Sequence, residues 1–497
     1  MNSIMNIRKG NNMEKIALVK TETFKYPLRE DYYRPDTPYP EYPFQDISKQ
    51  RNVSYESVRE CLALLELDKD NIGKPSWNPL GEYVKPGDSV LIKPNLVMDF
   101  NENKDGGVTC LYTNPSLVAA VVDYVLIALD GKGTVVIGDA PMQECDFEKL
   151  LQESGYAELL YYYKNKGLDV TIVDFRELSS EIKHGVHYAT IRGDAKGKIV
   201  SLGEDSDFSN LSPKALSKLR VPNYDPRILP HHHNEKTHEY YISDYILNAD
   251  VIINMPKPKT HRKAGVTISL KNFVGANVRK EFLPHHSYGS APSHGDEYNK
   301  KNLFKSIRSF LVDRKNILVA DQRYIAARVL NWPIRICHKI NKLLCKDITE
   351  YGCWYGNTTL GRTISDINKI ILYADKNGQM KNERQRKLFI VADLIISGEK
   401  EGPVSPSPKN VGLVAAGSDQ LLFDETITLM MGFDPKRIPT FRSVRYYSGK
   451  YQISSKDDNV IIVSNNDKLH NMNPYDVEGS ERLNYVASSG WKGYIEV

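Results

Sequence analysis

The chain has 497 residues, of which 41% are hydrophobic and 26% charged, values typical of a globular protein. This composition excludes a disordered or collagen-like chain, and no run approaches the ~20 apolar residues that a membrane-spanning helix needs. With 66 Lys and Arg against 62 Asp and Glu, the net charge of +4 argues against a nucleic-acid partner.

The first 83 residues are predicted to form a Tyr- and Pro-rich arm followed by a helix. Tyr and Pro crowd residues 20–50, and residues 54–67 have helical spacing. The first 15 residues contain no apolar segment of the secretory type, and the six cysteines include no CxxC pair. We therefore expect a cytoplasmic protein in a reducing compartment, without an iron–sulfur cluster.

Residues 84–300 are predicted to form an α/β core. Short β-branched strands at 89–92, 134–137, 170–173 and 249–255 alternate with helical segments. This order predicts a largely parallel or mixed sheet with helices on both faces. Ligands of such sheets bind beyond the carboxyl ends of the strands, so the residues that follow each strand are the candidates for function.

The remaining segments are predicted from composition and periodicity. Residues 176–240 are polar with few strand signals, so we expect irregular structure there. Residues 301–385 are predicted to be a basic helical insertion, and residues 386–497 to complete the α/β core. The basic amphipathic stretch 303–346 is a candidate for peripheral contact with the inner membrane surface, against the simpler interpretation of a solvated helix face.

Cations and amides follow two of the predicted strands. Proline after a strand ends the ladder and turns the chain outward, which presents the neighbouring side chains. Lysines gathered at one sheet edge would bind phosphate or carboxylate. The predicted substrate-binding residues are Lys93, Asn95, Lys257, Lys259, Lys271 and Asn272.

Histidines and carboxylates supply further candidates. Eight of the twelve histidines lie between His231 and His294, although the chain has no HExxH motif. Imidazoles act as general acids and bases, and the predicted catalytic residues are His238, His261, His285 and His286. Carboxylates after predicted strands could hold a divalent metal, and the candidate ligands are Asp139, Glu399 and Glu401.

Several cofactor and hydrolase motifs are absent from the sequence. No GxGxxG follows a strand, so neither a nicotinamide nor a flavin motif is present, and there is no P-loop. The sequence also contains no GxSxG elbow, the motif that would indicate a serine hydrolase.

These segments together resemble the family called domain of unknown function 362. The matching pieces span most of residues 85–440 and include residues 91–95, 137–141, 250–257, 259–261, 265–275, 283–286, 356–359, 398–403 and 431–434. Two positions depart from the expected pattern: Lys400 separates the two glutamates, and Thr358 replaces an acidic residue.

The resemblance implies the long bacterial branch without the ferredoxin module, often found beside surface-polysaccharide genes. The family fold is also distantly similar to part of nickel-dependent lactate racemase. That similarity makes acid/base chemistry on a small carboxylate a rival hypothesis.

The leading hypothesis is an enzyme, transferase-like or isomerase-like, acting on a phosphorylated or carboxylated small molecule or a glycan precursor. Its lysines would bind the anion, its histidines would move protons, and a divalent metal is a candidate cofactor. One alternative is a non-catalytic membrane-surface scaffold for polysaccharide assembly. Another is a metal-dependent racemase or oxidoreductase.

Overall fold

A computed structural model describes residues 13–345, 349–454 and 459–497. The first twelve residues, which include most of the segment examined for a secretory signal, lie outside the described residues, as does residue 346 of the basic stretch. None of the helices in the described ranges is long and apolar enough to cross a membrane.

The described strands form one large sheet and several small ones. They are β1 (Glu14–Lys20), β2 (Ser89–Pro94), β3 (Thr134–Asp139), β4 (Val170–Asp174), β5 (Leu178–Lys183), β6 (Val186–Ile191), β7 (Gly197–Ser201), β8 (Leu219–Arg220), β9 (Glu239–Ser243), β10 (Val251–Met255), β11 (Lys259–His261), β12 (Gly265–Thr267), β13 (His286–Ser287), β14 (Lys387–Asp393), β15 (Ile396–Glu401), β16 (Ser405–Asn410), β17 (Leu413–Gly417) and β18 (Val460–Ser464).

The described helices vary from one turn to six. They are α1 (Val53–Leu64), α2 (Pro115–Leu129), α3 (Phe147–Ser154), α4 (Tyr156–Asn165), α5 (Pro213–Leu216), α6 (Leu229–His232), α7 (Asp244–Leu247), α8 (Ser269–Asn272), α9 (Leu303–Ala320), α10 (Tyr324–Cys345), α11 (Thr359–Tyr373), α12 (Gln420–Met430) and α13 (Pro439–Tyr446).

The large sheet confirms the predicted α/β class. Its eight strands run in the order β18-β1-β17-β14-β10-β2-β3-β4, and β17 is antiparallel to both of its neighbours. Successive side chains of β2 alternate between the two faces: Leu91 joins one apolar cluster, while Val90 and Ile92 join the other. Helices α1–α4 cover one face, and α7, α8, α11, α12 and α13 cover the other.

Three segments differ from the prediction in position or in form. Strand β1, assigned to the arm, lies inside the large sheet between β17 and β18, because its apolar residues Ile16–Val19 are buried there. Helix α11, assigned to the insertion, lies in the core. The region predicted to be irregular carries strands β5 to β9, which pair as short two-stranded ladders.

The parallel strands set the position of the candidate site. β2, β3, β10 and β14 are neighbours or near neighbours and run in the same direction, so their carboxyl ends meet at one edge. A smaller sheet, β12-β11-β15-β16, stands beyond that edge and supplies further walls.

Candidate functional site

A cavity of about 440 Å³ lies at the carboxyl edge of the large sheet. Its walls come from the segments that follow β2 and β3, from β11 and α8, and from the segment 280–285. Its size is in the range of small-molecule sites, and its location is the one expected for an open α/β sheet.

Three lysines, Lys263, Lys271 and Lys280, line the cavity and are half-buried. Lys280 donates to the carbonyl oxygen of Ala140 at 2.7 Å. Neither Lys263 nor Lys271 has a side-chain hydrogen bond or an ion pair with any residue that the structure describes. The cavity therefore concentrates positive charge. The carboxylates that also line it, Glu102, Asp139 and Glu144, pair with other groups, although Asp139 partly offsets the charge of Lys271 and Lys280.

The environment of these ammonium groups disfavours their charged form. Burial and, after it, the ammonium groups of Lys280 and Lys263 lower the pKa of Lys271 to about 7. Burial also lowers the pKa of Lys263 to about 8 and that of Lys280 to about 8. A bound anion would reverse these shifts, because an opposite charge favours the protonated amine.

Two histidines of the cavity are held in opposite tautomers. The Nδ1 atom of His261 accepts the backbone N–H groups of Lys263 and Ala264 at 3.0 and 3.1 Å, so its proton is on Nε2. The Nδ1 atom of His285 lies 2.7 Å from the carbonyl oxygen of Leu283, so that atom carries the proton and Nε2 has the lone pair. Burial and nearby lysines hold the pKa of both rings well below the ordinary value.

Two buried polar atoms in the cavity wall lack partners within the described part of the chain: Asn272 Oδ1 and Thr267 Oγ1. The amide nitrogen of Asn272 donates to the carbonyl oxygen of Lys93 and to Asn254 Oδ1, which fixes the orientation of the group. Buried polar atoms are normally paired. Both atoms are covered by the protein in this structure, so a ligand would reach them only after a local side-chain movement.

Three of the predicted anion-binding lysines are occupied by the protein itself and do not line the cavity. Lys93 pairs with Asp139 at 2.6 Å, and Lys257 pairs with Asp393 at 2.8 Å. Lys259 donates to Asn95 Oδ1 at 2.5 Å. Of the six predicted substrate-binding residues, the structure brings Asn95, Lys271 and Asn272 to the cavity wall.

Two of the four predicted catalytic histidines lie away from the cavity. His286 is buried against Tyr351, with ring centroids 6.2 Å apart. His238 is buried between Phe208 and His233. Their positions are those of packed core side chains.

The predicted metal ligands are not brought together. Asp139 accepts from Lys93 Nζ and from two backbone N–H groups. Glu399 and Glu401 accept backbone N–H groups of Val486 and Ser489, which attach the C-terminal segment. No group of three or more His, Cys, Asp or Glu side chains in the described ranges is arranged to hold a metal, so this donor set does not fit a divalent ion.

Lys263, Lys280 and Thr267 line the cavity but were not among the site residues predicted from the sequence. A signal for two of them was present, because the run from Lys259 to Thr267 is a basic turn between two short strands that follow a core strand. Lys280 had no comparable signal. It reaches the cavity from a 3-10 turn, through its bond to the segment after β3.

Comparisons with known proteins identify a family and leave the chemistry open. A model of the family described as Domain of unknown function (DUF362) matches residues 90–196 and 208–428. A curated relative, Thylakoid-associated protein sll1697 of Synechocystis sp., is 29% identical over 231 residues, which are 46% of this chain and 50% of the relative. The chain therefore spans about half of that relative's length. No solved structure gives a significant match.

Proposed function

The chain belongs to the family described as Domain of unknown function (DUF362), and from its cavity we propose that it is an enzyme acting on an anionic small molecule, phosphorylated or carboxylated, including glycan precursors. One observation carries the proposal: the ammonium groups of Lys263 and Lys271 share a cavity wall without any carboxylate partner in the described residues.

Uncompensated, partly buried charges are costly, and like charges in one cavity increase that cost. A phosphate or carboxylate would relieve both costs at once, through charge-assisted hydrogen bonds that are stronger than neutral ones. After a local movement that uncovers them, Asn272 Oδ1 and Thr267 Oγ1 would engage the hydroxyl or other polar groups of the same ligand. These contacts favour an anion bearing further polar groups.

Two of the three histidines that line the cavity, His261 and His285, support catalysis rather than binding alone. His261 presents an N–H donor at Nε2, and His285 presents a lone pair at its own Nε2. His261 can therefore hydrogen-bond to a ligand atom on which negative charge develops, and His285 can take a proton from the ligand and return it. An anion on the lysines would offset the positive field that depresses the pKa of both rings, and would bring them closer to the neutral range.

The alternatives differ in what they require. A metal-dependent racemase or oxidoreductase would need ligands that the described residues do not bring together. A membrane-surface scaffold would need no proton-transfer pair.

The description of the relative as thylakoid-associated supports the proposal that this chain also works peripherally at a membrane surface.

Anion affinity is expected to fall as the pH rises from about 6 to about 9, because the amines with lowered pKa values near 7 and 8 lose their protons in that interval. Titration calorimetry with sulfate, whose charge is constant over this range, measures the change. An affinity that does not vary with pH would contradict the assignment.

The same lysines predict the opposite trend for folding. In the unfolded chain their pKa is near the ordinary value of about 10.4, so the unfolded state binds more protons between about pH 7 and 10. The free energy of unfolding of the unliganded protein should therefore increase with pH over that window. Denaturant titrations at several pH values provide the check.

Catalysis is tested by proton exchange in D₂O, followed by NMR on a panel of 2-hydroxy carboxylates and sugar phosphates. We expect His285→Gln to slow deuterium incorporation by about 100-fold or more, the usual contribution of a general acid or base, and His261→Gln to slow it by displacing the hydrogen-bond donor. His231→Gln, at an exposed position, is the matched control. Sulfate binding without any exchange by the unmodified protein would indicate a binding protein instead of an enzyme.

A further inference from the structure

The helical hairpin α9–α10 exposes an unusual number of large apolar side chains. Ile325 is 84% exposed, Leu343 80% and Trp332 72%. The other exposed members are Leu303, Ile307, Phe310, Val329 and Leu344. Isolated exposed apolar residues are ordinary, but a group of eight on two packed helices indicates an interaction surface.

On α10 these residues form a stripe with cations beside it. Ile325, Val329, Trp332 and Leu343 recur at intervals that place them on one face of a helix. Four exposed cations follow the flank of that stripe: Arg328, Arg335, Lys339 and Lys342. We call the stripe and these four cations together the docking face.

Acidic residues are absent from α10. The carboxylates close to the hairpin are already engaged: Glu350 pairs with Arg308 at 2.5 Å and lies 3.2 Å from His338, and Asp313 pairs with Arg220 at 3.0 Å. The docking face therefore presents apolar and cationic groups together, which is the pattern of a helix that lies in a membrane interface.

We propose that the docking face binds the surface of a bilayer rich in anionic lipid. The apolar stripe would enter the boundary between headgroups and acyl chains, with Trp332 in the position that tryptophan favours, and the cations would contact lipid phosphates. A second copy of the chain is a poorer occupant, because a symmetric pair of these faces would bring two rows of cations together.

The β5–β6 hairpin contacts both helix α10, which carries the docking face, and the cavity. Tyr188 of β6 stacks on Tyr324 of α10 with ring centroids 4.3 Å apart, and Asn331 donates to the carbonyl oxygen of His184 at 3.1 Å. The same hairpin contributes Ile182 and His187 to the cavity wall. When the docking face is bound to a bilayer, the β5–β6 hairpin would therefore lie between the cavity and the lipid.

The test is co-sedimentation of the full chain with vesicles of phosphatidylcholine alone, or with one-third phosphatidylglycerol. Binding is expected on the mixed vesicles and should weaken with salt. The triple variant Arg335→Gln, Lys339→Gln and Lys342→Gln should bind on the order of 100-fold more weakly, since each cation near an anionic surface contributes about five-fold. The control triple, Lys69→Gln, Lys132→Gln and Lys376→Gln, removes the same charge from exposed positions elsewhere and should bind normally.

The apolar stripe is tested by Trp332→Ser with Leu343→Ser, which should abolish sedimentation while sulfate binding by the cavity persists. The cavity readout separates failure of docking from failure of the proposed enzyme. Absence of binding to the mixed vesicles, or equal loss in the control triple, would overturn the proposal. So would a dimer of the unmodified chain, measured by light scattering, that becomes a monomer in the serine variant, because the face would then be an interface between copies.

Discussion

Lys271→Met is expected to weaken binding of sulfate and inorganic phosphate by about 10- to 100-fold, and Lys263→Met by a similar factor. Each variant removes one charge-assisted hydrogen bond, which contributes about 1.5–3 kcal/mol. Both ammonium groups line the cavity and have no partner in the described residues, so a ligand would lose the whole interaction. Titration calorimetry at about pH 6, where both amines carry their protons, gives the affinities.

The same substitution should stabilise the unliganded protein. Methionine fills a similar volume without the buried charge, so the cost of desolvation and of repulsion from Lys263 and Lys280 disappears. A variant that gains stability but loses binding indicates a residue that serves function and lowers the free energy of unfolding. Lys132→Met, at an exposed position, is the control. Unchanged anion affinity in Lys271→Met would exclude the cavity as the anion site.

Much of the fold could be predicted from the sequence because its strands are short, apolar and bounded by turns. The strands at 89–92, 134–137, 170–173 and 249–255 all lie in the large sheet. Helix α11 was not predicted as a core element because the basic residues before it dominate the composition of segment 301–385. Its apolar residues, from Leu360 to Ile371, recur at helical spacing, and they are buried under the sheet.

The candidate site was predicted in location but only partly in membership. The sequence placed lysines at the correct sheet edge, yet it could not distinguish a lysine that faces a ligand from one that faces a carboxylate. The partner of Lys93 is 46 residues away and that of Lys257 is 136 residues away. Only the fold brings such pairs together.

The histidines show the same limit at shorter range. His285 and His286 are neighbours in sequence, but successive side chains of an extended segment point in opposite directions. One therefore lines the cavity and the other packs against Tyr351. The composition locates the histidine cluster. Which ring reaches the cavity depends on the register of the two-residue strand β13.

Asp393→Ala is expected to destabilise the protein by about 3–5 kcal/mol, the usual cost of removing one partner of a buried ion pair. Lys257 and Asp393 have fully buried side chains, and the carboxylate also accepts from Tyr26 Oη at 2.7 Å and from the backbone N–H of Asn114 at 2.9 Å. Removing it leaves the ammonium group without its counter-ion, and denaturant unfolding measures the loss.

Two further variants test whether the loss of stability comes from the buried ion pair. Lys257→Met combined with Asp393→Leu replaces the pair by apolar groups and should recover most of the lost stability, because desolvation of both charges is also removed. Glu481→Ala breaks the exposed pair with Lys468 and should have little effect on stability. If Asp393→Ala were no more harmful than Glu481→Ala, while Lys257→Met alone abolished sulfate binding, Lys257 would be an anion ligand, as the sequence first indicated. The geometry favours the structural role, because no part of Lys257 lines the cavity.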